Sequence, residues 1–135
     1  ENVFRSHVRV RTKFVHGQDP VLVPKDIRLI RRTVRDYKFR GYPPEQTLGY
    51  WKHVVAAEKI NIDLYRDDVN LKMDNTIDYE VCVWRSLLHD LLAQVNLADY
   101  AAYPELERIF EGLTHFPEMD STLIPQNSLL REFIG

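Results

Sequence analysis

The sequence predicts a helix-rich α/β fold in a single domain of 135 residues. One segment alternates apolar and basic side chains, as a strand does, and several longer segments repeat apolar residues at helical spacing. No internal repeat, low-complexity segment or linker divides the chain. We therefore expect a strand and loop over residues 1–24, two helices over 25–58, and a strand with the C-terminal helices over 59–135.

The predicted N-terminal strand is the segment VRVRTKFV, residues 8–15. Val8, Val10 and Phe14 alternate with basic side chains, and Thr12 interrupts the pattern. This period of two predicts a half-exposed strand. The following residues, HGQDPVLVP, contain one glycine and two prolines and predict a loop over 16–24.

A basic helix is predicted over residues 25–41, KDIRLIRRTVRDYKFRG. Asp26 is placed to cap its start, and Gly41 can end it in a left-handed conformation before Pro43 and Pro44. Against Asp26 and Asp36 it carries seven cations: Lys25, Arg28, Arg31, Arg32, Arg35, Lys38 and Arg40. In a chain with a net charge of −2, this helix concentrates the positive charge and predicts a local anion site.

The spacing of this helix separates an apolar face from an arginine face. The apolar stripe consists of Ile27, Ile30, Val34 and Tyr37. A different side carries Arg28, Arg32 and Arg35. Guanidinium groups bind phosphate oxygens with two donors and stay protonated, so phosphate is the expected ligand. The alternative is a basic face that is solvated or paired with the acidic remainder of the chain.

A second helix is predicted from Pro44 through residue 59, with Leu48, Trp51 and Val55 on one stripe. The two helices joined near Gly41 form a helical hairpin. Residues 67–75, DDVNLKMDN, alternate apolar and polar side chains and predict a short strand.

Three helices are predicted in the rest of the chain. Asp78 can cap the strongest of them, whose stripe is Val81, Trp84, Leu88, Leu91 and Val95, widened by Leu87 and Leu92. The next begins at Pro104 and buries Leu106, Ile109, Phe110 and Leu113. The last, capped by Asn127 or Ser128, carries Leu129, Leu130 and Phe133. Trp51 and Trp84 are expected in the core.

Composition argues against several classes of protein. No apolar run approaches the roughly 18 residues of a membrane span, and the N-terminal residues carry charges, so we expect a cytoplasmic protein. The slightly acidic net charge makes general nucleic-acid binding unlikely. The histidines lack metal-site spacing, and Cys82 is expected to be a small buried residue rather than a reactive thiol.

The string DIRLIRRTVRDYKFRG resembles the lid segment of the uridine kinase and phosphoribulokinase family, whose pattern is D.RL.RR..RD...RG. The similarity extends through AEKINIDLYRDDVNLKMDNTIDYEVCVWRSLL to the closing IPQNSLLREFIG, which is similar to the bacterial uridine-kinase-like branch. It covers roughly residues 20–135, and the arginine motif is its most specific part.

This resemblance implies the C-terminal part of a P-loop kinase with a nucleoside-monophosphate-kinase-like fold. The helical hairpin would be a lid that closes over ATP, and Arg32, Arg35 and Arg40 would contact its phosphates. Arg28 and Arg31 would contribute further cofactor-side or substrate-side charge. The Mg²⁺ of the reaction would be bound by groups outside this chain.

The chain departs from the family pattern in two ways. Tyr42 and Tyr50 stand near positions where uridine kinases have an arginine and a base-contacting glutamine, so a hydroxyl and a ring would contact the substrate instead. The chain also lacks GxxxxGKS or GxxxxGKT, the loop that cradles ATP phosphates. The sequence is therefore expected to be a portion of a longer kinase, acting on a nucleoside or a similar hydroxyl acceptor.

Two other functions remain open at this stage. The basic helix could dock an acidic or phosphorylated partner while the leucine-rich C-terminal helices form a homo-oligomer. The same arginines could bind RNA phosphates, which is the weaker alternative.

Overall fold

The computed structural model describes residues 3–92 and 104–135 and shows a mixed α/β fold. The strands are β1 (Ser6–Arg9), β2 (Phe14–His16), β3 (Asp19–Leu22) and β4 (Leu71–Asp74). The helices are α1 (Pro24–Arg40), α2 (Pro44–Asn61), α3 (Glu80–Leu92), α4 (Pro104–Thr114) and α5 (Arg131–Ile134). Short 3-10 turns lie at Asp63–Tyr65 and Ser121–Leu123.

The strands form two separate pairs. β1 and β4 are parallel, with His7 opposite Lys72, and β2 and β3 form an antiparallel hairpin. The prediction of one strand over 8–15 was wrong, because β1 ends at Arg9 and β2 begins at Phe14. The prediction of a loop over 16–24 was also wrong, since β3 lies there. Pro20 is tolerated because a two-stranded hairpin leaves β3 a free edge.

Helix α1 is central to the core and contacts α2, α3 and α5. Its bounds match the prediction, and Gly41 ends it with a φ of 65°. Asp26 lies three residues inside the helix and accepts a hydrogen bond from the Val23 amide at 2.8 Å, so it caps the start from within. Of the predicted apolar stripe, Tyr37 is exposed, and Leu29 is buried instead.

The remaining helices complete the core. Helix α2 follows the prediction and buries Leu48 and Trp51, and α3 buries Trp84 completely. Val95 lies outside the described residues. The predicted last helix was too long, because α5 begins only at Arg131. Within the described residues, none of the helices combines the length and apolar character needed to cross a bilayer.

Two residues outside α1 are notable for their packing: Gly112 makes a tight backbone contact and Cys82 is half-buried. Gly112 in α4 lies against β3, where an added Cβ would come within 2.6 Å of the Val21 carbonyl oxygen. Cys82 is half-buried in α3, and burial raises the pKa of its thiol. A raised pKa disfavours the thiolate, which agrees with the predicted unreactive cysteine.

Candidate functional site: an arginine cleft

A cleft of about 290 Å³ lies between β1, α1, α2 and the turn at Asp63–Tyr65. We call it the arginine cleft, because five arginines line it: Arg9, Arg28, Arg31, Arg32 and Arg35. Four of them come from α1 and one from β1. The carboxylates in its lining are Glu58 and Asp63. The cleft therefore has an excess of positive charge.

Helical spacing brings three of these arginines together. Arg28, Arg32 and Arg35 are four and three residues apart, so they share the face of α1 that faces the cleft. Their side chains are between 26% and 36% exposed, so part of each side chain is accessible from the cleft. The arginine face predicted from spacing is confirmed.

Asp36 organises the arginines at the C-terminal half of α1. Its carboxylate is almost fully buried, and it lies 3.4 Å from Arg32 Nε, 3.6 Å from Arg35 Nε and 2.9 Å from Arg40 Nη1. The Thr47 hydroxyl on α2 lies 3.3 Å from the same carboxylate. One carboxylate thus orients three guanidinium groups, and their excess charge remains available to an anion.

Arg28 joins the two helices of the hairpin. Its guanidinium forms an ion pair with Glu58 on α2, with Nη1 2.6 Å from Oε2, and it lies 6.0 Å from the Trp51 ring centre. Burial lowers the pKa of Arg28, the charges of Arg9 and Arg32 lower it further, and the charge of Asp63 opposes them. The like charges around Arg28 are therefore only partly neutralised.

Arg31 is held differently, although it also borders the cleft. It donates from Nε and Nη2 to the Glu80 carboxylate at 2.7 and 2.8 Å, and from Nη2 to the Asn75 carbonyl at 2.8 Å. Its side chain is 6% exposed and that of Glu80 is fully buried. These bonds tie α1 to α3, so Arg31 supports the wall of the cleft.

Buried polar atoms without a hydrogen-bond partner are concentrated at the cleft. Across the described residues they are Arg32 Nε, Arg35 Nε, Trp51 Nε1 and Asn75 Oδ1, and all four residues line the arginine cleft. Buried polar groups are nearly always satisfied in native proteins, and exceptions often mark a missing water or ligand. Arg32 Nε and Arg35 Nε lie 3.4 and 3.6 Å from the Asp36 carboxylate without a hydrogen bond, so the polar groups in the wall of this cleft are incompletely paired.

The sequence-predicted site residues divide between the cleft and the surface. Arg28, Arg31, Arg32 and Arg35 line the cleft, whereas Arg40, Tyr42 and Tyr50 are not in its lining. Tyr42 and Tyr50 are 40% and 59% exposed. The structure therefore does not bring the two tyrosines to the arginines, and their role in binding substrate stays a prediction.

Sequence reasoning missed the residues that β1 and the turn contribute. His7 and Arg9 line the cleft from β1, and Asp63 lies 3.2 Å from Arg9 Nη1. The alternation of valine and arginine in VRVR was the available signal, because it places basic side chains on one face of the strand. It did not show which element that face would meet.

The carboxylates of the cleft do not fit a Mg²⁺ site. Glu58 and Asp63 each pair with an arginine, and the described residues contain no group of three or more potential metal ligands. Binding of Mg²⁺ by groups outside these residues therefore stays a prediction.

Comparison with protein-family models, curated proteins and solved structures finds no match.

Proposed function

We propose that this chain clamps the phosphates of ATP as the lid and C-terminal portion of a kinase that resembles uridine kinase. The observation that carries the proposal is the coincidence, in one cleft, of a row of partly exposed arginines and of unpartnered buried polar atoms. A phosphate chain supplies the negative charge and the acceptor oxygens that such a cleft lacks.

In this proposal Arg32 and Arg35 contact the phosphates. Their Nε atoms lie 3.4 and 3.6 Å from Asp36, so the terminal nitrogens are the groups that would donate to phosphate oxygens. Arg28 adds charge from the hairpin side. Arg40 is outside the cleft lining and shares Asp36, so it acts as a positioning residue. Arg31 is the structural support described above.

The size of the cleft agrees with a phosphate chain rather than a whole nucleotide. Its volume of about 290 Å³ is at the small end of the range of about 300 to 1,000 Å³ for small-molecule pockets. The base and ribose would then be bound by groups outside it. β1 and β4 pair in parallel, as strands of a P-loop kinase sheet would, and all four residues of β4 are exposed.

The chemical contribution of the clamp is electrostatic. Phosphoryl transfer depends mostly on positioning and on positive charge around the moving group, and the arginine row supplies both. A lid that closes over the phosphates also excludes water from the reaction. The phosphate-cradling loop GxxxxGKS or GxxxxGKT does not occur in these 135 residues, so transfer itself requires that loop from elsewhere.

Fluorescence of Trp51 offers a direct test of phosphate binding. Trp51 lines the cleft, whereas Trp84 is fully buried and bonded to Glu80. We expect pyrophosphate and ATP to change the fluorescence of a Trp84→Phe variant in a saturable manner. A Trp51→Phe variant, which keeps only Trp84, should give no such change.

The arginines are tested by their effect on that binding. Arg35→Ala should weaken pyrophosphate binding about tenfold, because it removes a charge-assisted contact. Lys52→Ala on α2 is the matched control, since Lys52 is exposed and in neither the cleft lining nor an ion pair with a described residue. Equal affinity in the two variants would remove the arginine row from the proposal.

A second candidate is a docking module that binds an acidic partner or a second copy of the chain. It is favoured by exposed aromatic residues at the C-terminal end of α1, Tyr37 and Phe39, beside the basic side chains. Sedimentation analysis separates it from the clamp. A dimer that Phe39→Ser dissociates, with pyrophosphate binding absent in both proteins, would favour docking over phosphate clamping.

A further inference from the structure

A second basic cleft lies on the other side of Arg9, with a volume of about 350 Å³. It shares His7, Arg9 and Val10 with the arginine cleft. The charged and titratable side chains in its lining are His7, Arg9, Arg11, Arg66, Asp67 and Lys72. Four cations thus face one carboxylate, and the two clefts meet at β1.

The carboxylates near this cleft only partly neutralise its cations, and one of them, Asp74 opposite Arg9, accepts a hydrogen bond from the Arg11 backbone amide at 3.0 Å. Asp67 serves two of the cations, with Lys72 Nζ at 2.6 Å and Arg66 Nε at 3.3 Å, and Arg9 is paired with Asp63. Arg11 forms no ion pair with any described residue, and its Nη2 lies 3.4 Å from His7 Nδ1. The second cleft therefore keeps a net positive charge.

The buried side chain of His7 lies within the positive electrostatic field of these cations. It is 9% exposed, and burial lowers its pKa, followed by the charges of Arg11 and Arg9. Lys72 acts in the same direction and only Asp63 opposes them. The parallel register of β1 and β4 sets His7 directly opposite Lys72, so the backbone maintains this arrangement.

We propose that the second cleft is a phosphate-binding site separate from the arginine cleft. It takes inorganic phosphate or the phosphate group of a small monoester, whose dianion supplies the charge that Asp67 alone does not. Arg11 and Lys72 are the principal contacts, because one has no carboxylate partner and the other shares one. Because His7 and Arg9 line both clefts, the site of the bound phosphate is decided by variants of residues that line only one of them.

The test follows the pKa of His7 by NMR while inorganic phosphate replaces chloride at constant ionic strength. A His7→Gln variant assigns the resonance. A bound anion favours the imidazolium, so we expect the pKa of His7 to rise in a saturable manner. Constant ionic strength removes general screening as a cause.

Three variants locate the bound phosphate. Arg11→Gln combined with Lys72→Gln should weaken phosphate binding about tenfold or more, whereas Arg35→Gln and Lys52→Gln should leave it within about twofold. Arg11 and Lys72 are exposed, so the double variant is expected to unfold as the parent does in urea.

Two results would overturn the second site. One is a His7 pKa that phosphate does not move. The other is binding that Arg35→Gln weakens and the double variant does not, which would place the phosphate in the arginine cleft alone. Loss of pyrophosphate binding in the Trp51 experiment, with the His7 response intact, would instead overturn only the proposed clamp.

Discussion

Arg31 and Arg32 are neighbours in the sequence and both line the arginine cleft, but they differ in burial and in their carboxylate partners. Arg31 is sealed against Glu80 between α1 and α3, with its side chain 6% exposed. Arg32 is 31% exposed, lines the cleft, and meets its carboxylate, Asp36, at 3.4 Å without a hydrogen bond from Nε. The same residue type on the same helix thus forms a buried support at one position and a partly exposed, incompletely paired group at the next.

This difference shows what decides the role of an arginine in a basic helix. A guanidinium whose donors are satisfied by a buried carboxylate has little to offer a ligand. A guanidinium that shares its carboxylate with other arginines keeps unused donors, and the cluster as a whole keeps a net positive charge. The two clusters, Arg31 with Glu80 and the arginines around Asp36, should therefore respond differently to substitution.

The largest effect is expected at the sealed cluster. Glu80 accepts hydrogen bonds from Arg31, from Trp84 Nε1 at 3.0 Å and from the Ile77 amide at 3.0 Å. Glu80→Ala leaves Arg31 as an unpaired buried charge, so the free energy of unfolding should fall by about 3–5 kcal/mol. Urea denaturation measures this loss.

Glu107→Ala is the control for that measurement, because Glu107 is exposed on α4. It should leave the urea midpoint unchanged. If Glu80→Ala also left the midpoint unchanged, the pair with Arg31 would not be the support that the structure shows.

An intermediate effect is expected at Asp36. Asp36→Asn removes the negative charge shared by three arginines, and the free energy of unfolding should fall by about 2 kcal/mol, between the values typical of exposed and buried pairs. Pyrophosphate should then stabilise this variant more than it stabilises the parent, since an anion replaces the lost carboxylate.

Glu80→Ala provides the contrast, because its arginine is closed to solvent. Pyrophosphate should stabilise that variant no more than the parent. Stabilisation is measured as the shift in thermal unfolding temperature. If pyrophosphate gave both variants the same additional stabilisation, the open and the sealed cluster would not differ in their access to an anion.

The smallest effect concerns the pH dependence of stability at His7. Burial and the nearby arginines lower the pKa of His7 from 6.5 in the folded state. The unfolded chain therefore binds a proton more readily, so the contribution of neutral His7 to stability is present above about pH 6.5 and is lost as the pH falls below it.

His7→Gln should flatten the decline of stability between pH 7 and 5, measured by urea denaturation at each pH. His53→Gln on α2 is the control, since His53 is exposed. An unchanged decline in the His7 variant would mean that β1 does not hold this histidine neutral beside the clefts.

Much of the helical frame could be predicted, because its signals are local. Gly41, Pro43 and Pro44 mark the turn between α1 and α2 within a few residues, and the spacing of Arg28, Arg32 and Arg35 defines their shared face. The structure adds contacts that the local pattern does not indicate: Asp36 lies beside three arginines, and Glu58 pairs with Arg28 across the hairpin.

What could not be predicted depends on residues distant in the sequence. Arg31 differs in role from Arg32 because it pairs with Glu80, and Glu80 lies 49 positions further along the chain than Arg31. The second basic cleft requires the pairing of β1 with β4, which brings Arg11 near Lys72. Strand β3 was missed because Pro20 and the polar residues around it have the composition of a loop.

The contact between α1 and α5 has a consequence for the order in which the molecule folds. Lys38 donates to the Ile134 carbonyl at 2.7 Å, across 96 positions in the sequence, and Phe133 borders the arginine cleft beside Arg31. Closing so long a loop is entropically costly and slows the contacts that depend on it. The arginines of α1 are synthesised before α5, and the part of the cleft wall that Phe133 contributes forms only after the C-terminal residues have packed against α1.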